Sequence, residues 1–199
     1  MLTPIETFLL DIDARWPAGG DKITFRVIGS TALMLQTDYL RGTKDGDILG
    51  VDPVSGRIAD ALHELAGPKS ELARIHGIFL DIVSRHTPFL PHQPNWIAMD
   101  ALNERLRSFQ VFALDVQDVI VAKLKRFNEN DKSDIQAMIE RDLVDHGWLV
   151  ERFLSAADQF AVTRLAKDIP TYAQNLNFVE REYLGVPETT YELPDWADV

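Results

Sequence analysis

Asp45 and Asp47 stand two residues apart in a stretch that reads as a β-strand, and a third acid, Asp81, lies inside the apolar run Ile78-Phe79-Leu80-Asp81-Ile82-Val83. Residues i and i+2 of a strand point to one face, so the first two carboxylates are aimed at one point in space. Two charges that close repel unless a cation lies between them, which makes the pair a candidate site for a hard metal ion. Asp81 is flanked by Leu80 and Ile82, where a solvated carboxylate is not expected; it should either coordinate a metal or pair with Arg26, Arg74 or Arg85. If the two strands are neighbours, three carboxylates converge at one sheet edge. Such a triad can hold two divalent ions that polarise a phosphoryl oxygen, stabilise a leaving pyrophosphate and activate an attacking hydroxyl. Upstream, Gly29-Ser30 follows an apolar strand and opens a helical pattern. A glycine there lets the backbone come close to a ligand, and the helix N-terminus offers N–H groups and partial positive charge to phosphate. The serine adds a hydroxyl donor or serves only as the N-cap.

The surrounding pattern supplies elements that could hold these groups. Thr3-Pro4 followed by Ile5, Phe8, Leu9, Ile12 and Trp16 predicts a helix stopped by Gly19-Gly20. A strand is expected over 25–28, a helix from Gly29 to about Tyr39, and a strand over 45–51 broken by Asp52-Pro53. An amphipathic helix over 56–65 precedes a third strand over 75–83. Pro88, Pro91 and Pro94 make residues 87–100 extended or looped, running back into an edge strand at 96–99, and 109–114 alternates like a final strand. From Asp115 onward helical spacing takes over. The expected fold class is α/β with a mixed-sheet core over 1–114, then a helical C-terminal domain over 115–199 that ends in an acidic tail.

Composition narrows the classes. The chain of 199 residues, 46% hydrophobic and 26% charged, has the balance of a soluble globular protein, with no run long enough to span a membrane and no signal-peptide pattern, so a cytoplasmic location is expected. Without cysteine, any metal must sit on carboxylates, histidines or backbone oxygens, which suits Mg²⁺. A net charge of -11 argues against a broad footprint for duplex nucleic acid. Asp45 to Gly50 is not a calcium loop, because Leu49 holds the fifth position and no glutamate holds the twelfth. His63, His76, His86, His92 and His146 lack paired metal spacing; only His76 and His86 flank the Asp81 strand, and a structural role is the ordinary one. Lys123, Lys125, Arg126 and Lys132 form a small basic patch, either a solvated helix face or a set of cations that steers a ligand.

Taken together, Gly29-Ser30, Arg41-x-Thr43-x-Asp45-x-Asp47, Asp81, the block 119–126 and Asp131 to Ile135 resemble the nucleotidyltransferase superfamily, especially its minimal and AbiEii-like branches. The resemblance covers residues 20–140 in separated blocks. It implies a DNA-polymerase-β-like core with a helical companion domain and Mg²⁺-dependent transfer of a nucleoside monophosphate from an NTP to a hydroxyl. It would give the triphosphate to Gly29 and Ser30 with Thr43, the two metal ions to Asp45 and Asp47, and activation of the acceptor hydroxyl to Asp81 as third ligand. Lys123 would reach the phosphates or the base. The acceptor is a small molecule, a protein or an RNA end, and the resembled branch includes toxins of toxin–antitoxin pairs, so an antitoxin-like partner is implied. Gly46 stands where an apolar residue is usual and is expected to weaken its strand. The rival class is a non-catalytic nucleotide-binding or protein-interaction module on the same fold.

Overall fold

Thr3 sets the entry of the first helix, α1 (Pro4–Arg15). Its hydroxyl accepts from the Glu6 N–H (3.2 Å) while the Glu6 carboxylate accepts from the Thr3 N–H (2.7 Å), a reciprocal cap that contributes about 1 kcal/mol. The stripe Ile5, Phe8, Leu9 and Ile12 is buried, and the helix ends at Trp16 because the residue before a proline avoids the helical region. The computed structural model describes residues 2–17, 19–42, 45–49, 56–83 and 88–191, with the backbone alone at Asp45 and Leu49. Thr43, Asp52-Pro53, Arg85, His86 and residues 192–199 therefore lie outside the described residues.

Two compact units divide the chain. The first is Met1–Thr87 with Trp96–Asp115, the second Pro88–Asn95 with Val116–Val199. In the first, β1 (Ile23–Val27), β2 (Asp45–Leu49), β3 (Phe79–Val83), β4 (Trp96–Ala98) and β5 (Phe109–Leu114) form one mixed sheet in the order β3-β2-β1-β5-β4. The β1/β5 and β2/β3 pairs are parallel; β1/β2 and β4/β5 are antiparallel. Strand alternation divides the residues cleanly. Phe25, Val27, Ile48, Leu80, Phe109, Val111 and Ala113 are buried on one face, against which α1 and α2 (Gly29–Gln36) pack. The other face carries Asp47, Asp81, Arg26, Phe112 and Trp96 and stays at least partly exposed. There the Arg26 guanidinium lies 5.8 Å from the centre of the Trp96 ring, a cation–π contact.

The third strand is shorter than the sequence pattern predicts. Residues 71–76 form a helical turn, α4 (Glu71–His76), after α3 (Gly56–Ala66). Ser70 caps it by accepting from the Ala73 N–H (3.0 Å), and Gly77 closes it at φ +69°, a left-handed conformation that suits glycine. Ile75, counted as a strand residue from its β-branched side chain, is instead 58% exposed on this turn. β2 runs through Gly46 without a break. The strand runs from Asp45 to Leu49 in register with β3, and Gly46 faces the buried side, where it borders a small apolar pocket lined by Ile5, Phe8, Leu9, Val27, Ile48 and Leu80 among others.

After the short α5 (Asp100–Asn103) and β5, the second unit is helical: α6 (Val116–Leu124), α7 (Glu129–Ile139), α8 (His146–Ala161) and α9 (Ile169–Val179), with a π-helical turn over Glu180–Leu184. Asn128 and Asp145 cap α7 and α8 through their side chains. The proline-punctuated segment 88–95 belongs to this unit. Phe89 is fully buried against Phe153, Phe160 and Tyr172 at ring distances of 5.8, 5.1 and 5.0 Å. Fully buried Asp118 takes Arg152 in a two-pronged ion pair (2.6 and 2.8 Å) and also accepts from the Asn95 N–H (2.7 Å).

Candidate active site

The end of β1 brings the glycine turn against the second aspartate. The Ile28 N–H donates to the Asp47 carbonyl (2.9 Å), and Gly29 follows at φ +65°. The left-handed conformation favours glycine, and a Cβ there would stand 3.0 Å from Asp47 Oδ2, a tight approach that the carboxylate would have to yield to. α2 starts at once, with no side-chain cap from Ile28. Ser30 lies in its first turn, where backbone N–H groups lack helical partners. The Ser30 hydroxyl accepts from Arg41 Nη1 at 3.2 Å.

On the adjacent strand, Asp81 is the residue directly paired with Asp47, and the preceding pair is Gly46 with Leu80. Directly paired residues of neighbouring strands share a face with their backbones about 5 Å apart, so two carboxylates meet there. Asp45 holds the register position two before Asp47, opposite Phe79. Burial of Asp81, expected from its apolar neighbours, is corrected: its side chain is exposed. The reason is the strand period. Leu80 and Ile82 face the other side of the sheet, so their character says nothing about the surroundings of Asp81.

Lys123 is placed differently from the sequence expectation of a phosphate-reaching side chain or a solvated basic face. It is buried within the second unit, its ammonium 3.0 Å from Asp131 and 2.7 Å from Asp134. Arg126 grips Asp131 as well, through Nε (2.7 Å) and Nη2 (2.8 Å). Burial pushes the Asp131 carboxyl upward, but the bonds from Arg126 and the charge of Lys123 outweigh it and hold the group below its ordinary value. Lys132 pairs with Glu129 (2.9 Å). His76 is structural, bonded to Asp11 (2.8 Å) and packed on Phe8 at 5.5 Å between ring centres. Arg41, part of the sequence block without a role of its own, contacts the serine of the glycine turn.

Among the described residues, no group of three or more histidine, aspartate or glutamate side chains is assembled as a metal cage. The donor set nonetheless fits a hard ion. Two aspartates share one partly exposed face at paired positions, and a third occupies the same strand at the right period. Among the described residues no helix is long and apolar enough to cross a membrane.

A mixed five-stranded sheet with a glycine turn beside strand-borne aspartates, followed by a helical unit, defines an α/β protein of nucleotidyltransferase type. Residues 9–183 match the family described as nucleotidyltransferase of unknown function (DUF6036), and the chain belongs to that family. No curated protein and no solved structure matches it.

Proposed function

We propose that the chain is a Mg²⁺-dependent enzyme that moves a nucleoside monophosphate from an NTP to an acceptor hydroxyl. The observation that supports it is the direct pairing of Asp47 with Asp81 on the partly exposed sheet face, with the Gly29 turn touching Asp47. In this reading the N–H groups of the α2 first turn and the Ser30 hydroxyl bind the triphosphate, and Thr43 joins them. Asp45, Asp47 and Asp81 would hold one or two Mg²⁺ ions, which when bound supply charge stabilisation at the phosphoryl oxygens and the departing pyrophosphate. Asp81, on an edge strand and open to solvent, would orient the acceptor hydroxyl and take its proton. Lys123 is left out of the phosphate-binding set, since its charge is already matched by Asp131 and Asp134.

The acceptor is a small molecule, a protein side chain or an RNA end. An AbiEii-like, cytoplasmic toxin restrained by an antitoxin-like partner is the elaboration the sequence blocks favour. A second reading, a non-catalytic nucleotide-binding or interaction module, draws on the engaged Lys123. One assay separates them. Wild type and Asp47→Asn are incubated with Mg²⁺ and each labelled NTP, with and without cell extract. Transfer by wild type and its loss in the variant is the expected outcome. Tight NTP binding with no transfer by wild type would favour the second reading.

A further inference from the structure

Resting on the nucleotide-transfer reading, we propose that Trp96, Phe112 and the plane of the Arg26 guanidinium form the subsite on which the nucleobase of the bound NTP stacks. A sheet face left open to water ordinarily carries polar side chains. β5 buries Phe109, Val111 and Ala113 on its packed side, but its open side carries half-buried Phe112 beside exposed Gln110. On β4, half-buried Trp96 holds the position diagonal to Phe112, because Ala98 is opposite Phe112 and Trp96 is opposite Leu114. Phe109, on the packed face, has rings for neighbours: its ring centre lies 4.4 Å from that of Phe25 and 5.4 Å from that of Trp16. Among the described residues neither Trp96 nor Phe112 stacks on another ring; Trp96 instead carries the Arg26 guanidinium 5.8 Å from its ring centre.

Register places these planar groups at a useful distance from the acids. Arg26 is opposite Leu49 of β2 and beside Phe112 of β5, so it stands one strand across and two residues along from Asp47. At about 4.8 Å between strands and about 3.3 Å per residue, Asp47 and Phe112 are about 12 Å apart across one face. A metal ion, an α-phosphate and a ribose in series can bridge that span and set the base over the rings. Stacking takes the faces of the indole, phenyl and guanidinium groups, not the N–H donors, so Arg26 gives up none of its other contacts. Every base has a π-face, and a stacking platform therefore supplies affinity with little preference among the four NTPs.

The alternative role for the Arg26–Trp96 contact is a brace between β1 and β4, and a ligand without a base separates the two. Wild type, Trp96→Ala, Trp96→Phe and Phe112→Ala are titrated calorimetrically with each Mg·NTP and with Mg·tripolyphosphate, with thermal melting recorded for every protein. The expected result for Trp96→Ala is an NTP affinity about 5- to 100-fold weaker with tripolyphosphate affinity within about 2-fold. Trp96→Phe, which keeps a ring, should recover most of that loss, and Phe112→Ala should weaken NTP alone. A second measurement leaves both rings in place: in a Trp16→Phe/Trp148→Phe/Trp196→Phe protein, Mg·NTP should quench the Trp96 fluorescence and Mg·tripolyphosphate should not. Equal loss of both ligands, unchanged NTP affinity in a folded Trp96→Ala, or quenching by a short oligoribonucleotide but by no NTP overturns the subsite and leaves the transferase reading standing. Wild type that binds no NTP overturns both.

Discussion

Asp47 and Asp81 in the first unit, and Asp118, Asp131, Asp134 and Glu180 in the second, are the same chemistry under opposite conditions. The second group is buried, and each carboxylate is surrounded by donors. Glu180, fully buried, accepts from His146 (2.7 Å), from the Thr189 N–H (2.8 Å) and hydroxyl (2.6 Å), and from the Tyr191 hydroxyl (3.0 Å). Such groups lock the fold. Asp118 fastens the 88–95 segment, Asp131 joins α6 to α7, and Glu180 docks residues 185–191. The first group instead shares a partly exposed sheet face, with one acid opposite the other in strand register. The contrast teaches that an acid set opposite another acid on an open sheet face marks chemistry better than burial does.

The contrast can be broken from either side. Asp81→Asn should lower nucleotidyl transfer by about 100-fold or more while changing the unfolding free energy in urea by less than about 0.5 kcal/mol, as surface substitutions do; a variant that collapses would place Asp81 among the structural acids. Asp131→Ala should do the reverse. It takes from buried Lys123 one of its two carboxylates and removes the one that Arg126 grips, and urea unfolding should show a loss of about 2–3 kcal/mol. A smaller effect is expected from acid. Burial pushes the Glu180 carboxyl upward, but the bonds from His146, Thr189 and Tyr191 hold it below its ordinary value, and the N–H groups of Arg107 and Ser108 do the same for Asp13. A carboxyl depressed by folding contributes stability that is present above its unfolded value, near 4, and is lost as pH falls through the folded value. Urea midpoints should therefore drop as pH falls below about 4. Glu180→Gln should flatten that slope and expose residues 185–191 to limited proteolysis at neutral pH.

Much of this was legible in the sequence. The Asp45–Asp47 spacing and the glycine–serine turn are local patterns, and a strand period read from seven residues is enough to aim two side chains. The mixed sheet, the edge strand at Trp96 and the helical second half were also readable from alternation and spacing. What sequence could not supply was register. Only the β2/β3 pairing places Asp81 opposite Asp47, and only the fold of α6 onto α7 brings Asp131 and Asp134 to Lys123, across eight and eleven residues. The misreading of Asp81 came from treating neighbours in sequence as neighbours in space. The misplaced start of β3 came from weighing Ile75 and His76 by propensity and passing over the Ser70 cap and the Gly77 stop.

Strand order carries one more consequence, for the order of folding events. β2 and β3, which bear the aspartates, pair at an edge of the sheet, whereas the central β1 must wait for β5, more than eighty residues later, before its second side is filled. Closing so long a loop is slow compared with local pairing. The chain also leaves the first unit after β3, contributes 88–95 to the other, and returns for β4 and β5. A truncation before β5 should thus leave the aspartate-bearing strands and β1 synthesised but without the strand that fills the second side of β1.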